Sequence, residues 1–223
     1  MKVSALIAAL NEGPRIGAVV TGIRRHVADV LVVDDGSTDD TSAAAQAAGA
    51  SVIRHDVNRG KGQAIRTGLA RLLAGDSTHV LLLDGDGQHD PDDAPRLIAA
   101  AGPAIVVIGE RPFDRERMPR SRYYTNIVSS RVISGLFVGQ PVSDAQSGYR
   151  LIDLDLVRRV RLTGRGYEIE TEMLIKLAHA GGHVVGVPIQ MKYGAPSKLR
   201  PWRDTTRTCF LAVRYRFFPA RWQ

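Results

Sequence analysis

Residues 80–88, Val-Leu-Leu-Leu-Asp-Gly-Asp-Gly-Gln, pass directly from an apolar run into an acidic loop. The run predicts a buried strand over residues 79–83, because a short apolar run that ends at turn residues is typical of a strand covered on both faces. After it, Asp84, Asp86 and Gln88 place two carboxylates and an amide oxygen at alternate positions. Such oxygen ligands suit Mg²⁺ or Mn²⁺, but a turn in which Asp90 caps the next helix explains the same residues.

Short apolar runs alternate with helical patterns on both sides of this segment. The runs predict strands near residues 3–9, 30–33, 51–53, 79–83 and 104–108, and the intervening patterns predict helices near 14–26, 39–48, 62–74 and 92–101. This alternation favours an α/β fold with a Rossmann-like, doubly wound, mainly parallel sheet and helices on both faces. Ligands bind such sheets beyond the carboxyl ends of the strands. We therefore expect the polar clusters that follow strands, at residues 11–12, 34–37 and 84–86, to share one edge.

The second half of the sequence is less regular. It predicts an arginine-rich loop over residues 111–122, a helix near 123–136, a strand near 147–151, helices near 153–159 and 169–180, a strand pair over 184–193, and a last helix from 202 to about 217. A chain of 223 residues without an internal repeat fits a single domain over residues 1–223.

The composition indicates a folded protein that favours anionic partners. Hydrophobic residues make up 44% of the chain and charged residues 24%, and the formal net charge is +7, which suits phosphorylated substrates, acidic lipid or nucleic acid. Aromatic residues are only 6%, and no nucleic-acid-binding motif accompanies the basic residues, so we expect no nucleic-acid partner. The single cysteine, Cys209, fits a reducing compartment. No apolar run approaches the roughly 20 residues that a membrane span needs, and we expect a cytoplasmic protein.

Five motifs occur in order along the chain and together resemble family 2 glycosyltransferases of the GT-A fold, especially the dolichol-phosphate or polyprenyl-phosphate mannosyltransferase type. They are Leu-Asn-Glu at 10–12, Val-Asp-Asp-Gly-Ser-Thr-Asp at 33–39, Asn-Arg-Gly-Lys-Gly at 58–62, Asp-Gly-Asp-Gly-Gln-His-Asp-Pro at 84–91 and Asp-Ala-Gln-Ser-Gly-Tyr-Arg at 144–150. Segments 166–172, 187–189 and 197–204 also resemble that group, so the likeness covers nearly the whole chain. It implies a nucleotide-binding half (1–109), an acceptor half (110–193), and a mobile loop with a C-terminal helix (194–223).

The resemblance also implies roles for particular residues. The nucleotide pocket would be lined by Ala8, Asn11, Glu12 and Asp35. The divalent ion and the diphosphate would be held by Asp84, Asp86 and Gln88, which makes Asp86 a catalytic residue as well. Lys61, in a glycine-punctuated loop at a helix start, suits a phosphate contact. Lys198 and Arg200 would close over the donor diphosphate or, alternatively, are solvated surface cations. His89 is either close to the metal ion or a plain surface histidine.

The acceptor can be argued from chemistry. A hydroxyl needs a general base, whereas a phosphate monoester, with a second pKa of about 6, is already a nucleophile at neutral pH and needs cations instead. Arginines crowd the acceptor segment: Arg115, Arg117, Arg120, Arg122 and Arg131. With Arg122 and Arg131 as catalytic phosphate contacts, we expect inverting transfer of mannose or glucose from a GDP- or UDP-sugar to a polyprenyl phosphate. The alternative is transfer to a hydroxyl with Asp144 as the base, although Asp144 could instead hold an arginine or a turn in place.

The C-terminal segment 210–222 mixes aromatic residues with arginines, as interfacial helices do. It could rest on the cytoplasmic face of an acidic membrane or on a membrane-protein partner, and it could equally pack on the domain as a terminal helix. Both alternatives stay open, as do the sugar, the base of the donor and the oligomeric state.

Overall fold

The computed structural model describes residues 1–112 and 120–190, in which seven strands form one sheet. The strands are β1 (Val3–Ala9), β2 (Asp29–Asp34), β3 (Ser51–Arg54), β4 (His79–Asp84), β5 (Ile105–Glu110), β6 (Arg150–Asp153) and β7 (His183–Pro188). The α-helices are α1 (Gly13–Ile23), α2 (Thr41–Ala47), α3 (Lys61–Leu73), α4 (Ala94–Ala99), α5 (Arg120–Ile133), α6 (Leu154–Arg158) and α7 (Glu168–His179). A 3₁₀ turn, Pro91–Asp93, precedes α4, and a π-helical turn, Ser134–Val138, extends α5. None of the described helices has the length and apolarity to cross a bilayer.

The sheet has the strand order β3-β2-β1-β4-β6-β5-β7. All neighbouring strands are parallel except β6, which runs antiparallel to β4 and β5. In the pairing of β1 with its two neighbours, Ala9 lies opposite Asp34 and Ala8 lies opposite Asp84. The acidic ends of β2 and β4 therefore flank the end of β1 at one edge. This confirms the predicted α/β fold with a mainly parallel sheet and places the polar clusters as expected.

Apolar residues pack on both faces of the sheet. Leu6 belongs to a buried cluster with side chains of α3 and α7, whereas its neighbour Ile7 belongs to a second cluster with side chains of α1 and α4. Successive residues of a strand point to opposite faces. Burial on both faces explains why the parallel strands are continuous apolar runs rather than alternating patterns.

Some predicted elements differ from the structure. The strand predicted over 147–151 is β6, which begins only at Arg150, because the chain bends at Gly148 and the Ser147 carbonyl accepts a hydrogen bond from Arg150 Nε at 2.7 Å. The strand pair predicted over 184–193 contains one described strand, β7; residues 191–193 and the predicted last helix lie outside the described residues. The helix predicted over 92–101 is preceded by the 3₁₀ turn, which Asp90 caps by accepting the N–H of Asp92 at 3.2 Å.

Glu172 of α7 binds the loop that precedes α7, at Thr163 and Gly164. Glu172 is fully buried and accepts the N–H groups of Thr163 at 2.9 Å and Gly164 at 2.6 Å, as well as the Thr163 hydroxyl at 2.8 Å. Lys176 pairs with it at 3.1 Å. Burial alone would raise the pKa of Glu172, but the hydrogen bonds from Gly164 and Thr163 and the charge of Lys176 lower it overall.

The loop held by Glu172 packs against the start of α3. The N–H of Gly62 donates to the Arg165 carbonyl at 2.8 Å, and a Cβ atom on Gly62 would lie 2.5 Å from the Gly164 carbonyl oxygen. Gly60 adopts φ +96° and leaves equally little room for a side chain. This close backbone contact fixes the point at which α3 begins, and with it the position of Lys61.

We expect Glu172→Gln to lower the free energy of unfolding by about 1–3 kcal/mol at pH 7, because a neutral amide accepts these hydrogen bonds less well and deprives Lys176 of its charged partner. The pKa of Glu172 is lowered in the fold, so its charge stabilises the protein above the ordinary pKa of 4.5, and that stabilisation is lost as the pH falls below it. Urea unfolding should therefore show a difference between variant and wild type that shrinks below about pH 4.

Glu168→Gln on the same helix is the matched control, since Glu168 accepts the N–H groups of Arg165 and Gly166 at a half-buried position. It should change the stability less than Glu172→Gln does. A Glu172→Gln protein as stable as the wild type at pH 7, or a difference that grows in acid, would contradict this role.

Candidate active site

The turns that follow β1 and β2 are bonded to one another. Asn11 adopts φ +51°; its N–H donates to the Ser37 hydroxyl at 2.8 Å, and its side-chain oxygen accepts the N–H of Thr38 at 2.8 Å. Glu12 is buried, and its N–H donates to the Thr41 hydroxyl at 2.8 Å. The two predicted nucleotide-pocket residues are thus fixed beside the turn that follows β2.

Asp35 holds the loop that leads into α3. Its buried carboxylate accepts the N–H groups of Arg59 at 2.9 Å and Gly60 at 2.8 Å and lies 2.7 Å from a ring nitrogen of His55. The Asp35 carboxylate therefore fixes the backbone of this loop at Arg59 and Gly60. Its predicted contact with the nucleotide stays a prediction.

Lys61 lies between two carboxylates. Its Nζ is 2.6 Å from Asp84 Oδ1 and 2.6 Å from Glu170 Oε1, and it stands 5.3 Å from the ring centroid of Tyr167. Burial alone would lower the pKa of Lys61, but the two carboxylates raise it overall. Burial would raise the pKa of Asp84, yet the charge of Lys61 lowers it overall. Lys61 and Asp84 are therefore both charged at neutral pH. Ala8 lines the same cleft.

Asp86 lies in the loop directly after β4. Its carboxylate accepts the Gln88 N–H at 3.0 Å and the Gln88 side-chain NH₂ at 2.8 Å. Burial and the nearby charge of Asp84 raise the pKa of Asp86. A divalent cation bound to both carboxylates would reduce their mutual repulsion. Within residues 1–112 and 120–190, no three His, Cys, Asp or Glu side chains form a metal cage. Two carboxylates nevertheless suffice where substrate phosphates and water complete the coordination.

His89 is buried, so the interpretation as a surface histidine is wrong. Its ring packs obliquely against Tyr149 at a centroid distance of 5.3 Å. Among the described residues, neither His89 Nδ1 nor the Tyr149 hydroxyl has a hydrogen-bond partner. Burial lowers the pKa of His89 to about 4, so a neutral imidazole stands near Asp84 at pH 7.

Asp144 forms a two-point ion pair with Arg111. Its carboxylate is fully buried, with Oδ2 2.5 Å from Arg111 Nε and Oδ1 2.9 Å from Arg111 Nη2. Burial alone would lower the pKa of Arg111, but the charge and hydrogen bonds of Asp144 raise it overall. The structure therefore supports the interpretation that Asp144 holds an arginine in place, and it leaves the predicted role as a base untested.

Arg150 ties together the segments that carry these charges. It is buried and donates to the backbone carbonyls of Ser147 at 2.7 Å, Ala145 at 2.8 Å and Glu170 at 2.6 Å. The turn over residues 144–150 and the start of α7 are thereby held together. Burial lowers the pKa of Arg150, and the three carbonyls solvate its charge in place of water.

Sequence reasoning assigned no role to Arg111, Arg150 and Glu170. Arg150 and Glu170 lie inside segments that resemble the family, and this resemblance was the signal in the sequence that could have indicated a role for them. Arg111 was one arginine among many, and residue type alone does not distinguish a buried arginine from an exposed one.

Of the predicted acceptor and donor-loop cations Arg122, Arg131, Lys198 and Arg200, only Arg131 has a side chain that the structure describes. Arg131 is exposed near the end of α5, although its neighbour Ser130 accepts the N–H of Ala145 at 3.0 Å and so joins α5 to the turn that contains Asp144. The Arg122 side chain, Lys198 and Arg200 lie outside what the structure describes. Their roles stay predictions.

Comparison with known proteins identifies the family. The family model described as Glycosyl transferase family 2 matches residues 4–161. Glycosyltransferase AglJ of Haloferax volcanii is 34% identical over 91% of this chain and 68% of that protein. Undecaprenyl-phosphate mannosyltransferase of Micrococcus luteus is 30% identical over 85% of this chain and 83% of that protein.

A solved structure agrees with the fold. Glucosyl-3-phosphoglycerate synthase of Mycobacterium tuberculosis, in complex with Mn²⁺, UDP and glucosyl-3-phosphoglycerate, superposes with a TM-score of 0.74 at 24% identity, over 96% of this chain and 79% of that one. This likeness shows the GT-A fold that the sequence predicts. With the five motifs gathered at one edge of the sheet and the family model matched over most of the chain, the protein belongs to glycosyl transferase family 2 and is a glycosyltransferase.

Proposed function

We propose that the protein transfers a hexose, mannose or glucose, from a GDP- or UDP-sugar to a polyprenyl phosphate, with inversion at the anomeric carbon. The relative from Micrococcus luteus, named for its action on undecaprenyl phosphate, supports this acceptor class. The observation that carries the choice is the buried ion pair of Asp144 with Arg111. A carboxylate engaged at both oxygens is a poor general base, and a phosphate acceptor needs none.

Asp84 and Asp86 fit a site for Mg²⁺ or Mn²⁺. Asp84 ends the buried strand β4 and Asp86 follows in the loop after it, and burial together with the charge of Asp84 raises the pKa of Asp86. The neighbour from Mycobacterium tuberculosis, whose complex contains Mn²⁺ and UDP, supports the same choice of ion. When bound, the ion neutralises charge that develops on the departing nucleotide diphosphate. Gln88 now donates its NH₂ group to Asp86, so its amide would have to turn before its oxygen could act as a ligand.

The donor would lie across the carboxyl edge of the sheet. Its nucleotide would contact the turns after β1 and β2, which contain Asn11, Glu12 and Asp35, and its diphosphate would reach the loop after β4. The proposed contacts of Lys198 and Arg200 with the diphosphate would complete the donor site.

The acceptor phosphate would act as its own nucleophile. A phosphate monoester with a second pKa of about 6 is mostly a dianion at neutral pH, so one of its oxygens can attack the anomeric carbon in line while the bond to the nucleotide diphosphate breaks. No proton has to be removed from the acceptor. Arg122 and Arg131 are the proposed cations that orient the phosphate, since guanidinium groups bind phosphate oxygens at two points.

Metal dependence is the first prediction of the proposed function. In a screen of GDP- and UDP-sugars with polyprenyl phosphate and Mn²⁺, release of the nucleotide diphosphate should identify the donor. Asp86→Ala should abolish that release, because the remaining carboxylate cannot hold the ion alone, and EDTA should do the same to the wild type until Mn²⁺ is restored. Asp56→Ala, which changes an aspartate that is 96% exposed, is the control and should stay active. Full activity in EDTA would rule out the metal role.

Capture of the acceptor is the second prediction. Arg122→Ala or Arg131→Ala should each lower kcat/KM for polyprenyl phosphate about ten- to hundredfold, because each removes a charge-assisted contact of about 1.5–3 kcal/mol. The KM for the donor should barely change. Arg71→Ala, an exposed arginine on α3, is the matched control. Normal steady-state kinetics in both test variants would contradict the proposed phosphate contacts.

The third prediction concerns Asp144, whose replacement also releases Arg111. If Asp144 acts by positioning Arg111, then Asp144→Asn, Arg111→Lys and the double variant should each lose a similar amount of activity. The effects of substituting two partners of one contact do not add, because either substitution already breaks the contact. The rate should still fall below about pH 6 in all of them, as the acceptor phosphate becomes protonated.

A hydroxyl acceptor, with Asp144 as the base, gives a different outcome. Asp144→Asn would then cost an additional factor of about 10²–10⁴ beyond Arg111→Lys. It would also remove the acidic limb of the pH profile. That pair of results, in a variant whose circular dichroism shows a normal fold, would replace the lipid-phosphate proposal.

A further inference from the structure

We infer that Lys61 is a resident counter-ion of the metal site. Its ammonium group would bind the ligand oxygen of Asp84 until a divalent cation takes that oxygen, after which Glu170 alone would hold the ammonium. The inference rests on the proposed metal site at Asp84 and Asp86. It adds that metal binding is a competition with a side chain of the protein itself.

The two carboxylates that share Lys61 lie against the same glycine. A Cβ atom on Gly148 would lie 2.9 Å from Asp84 Oδ2 and 3.0 Å from Glu170 Oε1. Two charged carboxylates held this close repel one another. The Lys61 ammonium lies 2.6 Å from an oxygen of each and so supplies the charge that keeps them together.

Glu170 is placed to keep the ammonium when Asp84 is taken. Its backbone carbonyl accepts Arg150 Nη1 at 2.6 Å, which fixes the start of α7, and its side chain is only 12% exposed. A lysine is a point charge on a flexible four-carbon stem, so it can go from two carboxylates to one with a small movement. The charge of Lys61 would then stay paired, and a buried unpaired charge would be avoided.

Asp84 is the point of competition, since Asp86 has a different partner. Asp86 receives its hydrogen bonds from Gln88, whereas Asp84 Oδ1 receives the Lys61 ammonium. Asp84 Oδ2 lies against Gly148, so a divalent cation that binds both aspartates would take Oδ1 and displace the ammonium from it. Lys61 therefore weakens metal binding and at the same time stabilises the site before the metal arrives.

Three variants separate competition from a general effect of charge. Binding of Mn²⁺ alone, followed by the EPR signal of the free ion, should be about tenfold tighter in Lys61→Met, because a contact of about 1.4 kcal/mol no longer has to be broken. It should be weaker in Glu170→Gln, where the ammonium has Asp84 as its remaining carboxylate. The double variant Lys61→Met/Glu170→Gln loses one charge of each sign and so keeps the wild-type net charge. It should still bind Mn²⁺ more tightly than the wild type, because Asp84 is released.

Asp84→Asn and Lys2→Met are the controls. Asp84→Asn should lose Mn²⁺ binding. Lys2→Met removes a lysine that pairs with Asp76 at 2.7 Å outside the site, and it should leave the affinity within about twofold of the wild type. If Lys61→Met does not fold, Lys61→Gln replaces it in both test proteins. As a second measurement, Mn²⁺ should raise the melting temperature more in Lys61→Met than in the wild type.

The outcomes distinguish the two proposals. If Asp84→Asn binds Mn²⁺ like the wild type, the metal site itself is wrong and the inference fails with it. If Asp84→Asn loses binding while the double variant matches the wild type, the metal site stands and the role of Lys61 as a competitor is overturned.

Discussion

Charges buried at the carboxyl edge of the sheet have to be paired, and the pairs that satisfy this requirement connect the whole site. Leaving one buried charge without a partner costs about 3–5 kcal/mol, a large part of the stability of a domain. Lys61 is paired with Asp84 and Glu170, and Arg111 is paired with Asp144. The edge is therefore assembled by electrostatic partners before any substrate binds.

The antiparallel strand β6 is what brings these partners together. Because β6 runs against β4 and β5, it begins at the edge where the parallel strands end, and Arg150 at its start pairs with Leu82 near the end of β4. The turn over residues 144–149 therefore lies beside the acidic loop that follows β4. The same geometry brings Gly148 against Asp84 and Glu170.

Local signals made much of the fold predictable. Short apolar runs marked the parallel strands of the first half, and the capping role of Asp90 followed from its place before Pro91. The partners of the buried charges were not predictable in this way, since Lys61 and Glu170 are 109 residues apart in the sequence. The sequence pattern of a lysine beside glycines is also typical of a phosphate contact. Only the fold shows that Lys61 lies between two carboxylates. The start of β6 was predicted too early, because Ser147 and Tyr149 are buried as strand residues are, yet the chain bends at Gly148 before Arg150.

Among the described residues, Lys61, Arg111, Asp84 and Asp144 are held in ion pairs at this edge, and the phosphate acceptor that we propose is a nucleophile that needs no general base. Phosphorus-31 NMR of the reaction with polyprenyl phosphate tests this most directly. A phosphate monoester changes its chemical shift with pH around a pKa of about 6, whereas a glycosyl phosphodiester has no second ionisation. The account predicts that the pH-dependent monoester signal converts to a pH-independent diester signal as the nucleotide diphosphate is released. Consumption of the donor while the acceptor signal keeps its pH dependence would contradict it.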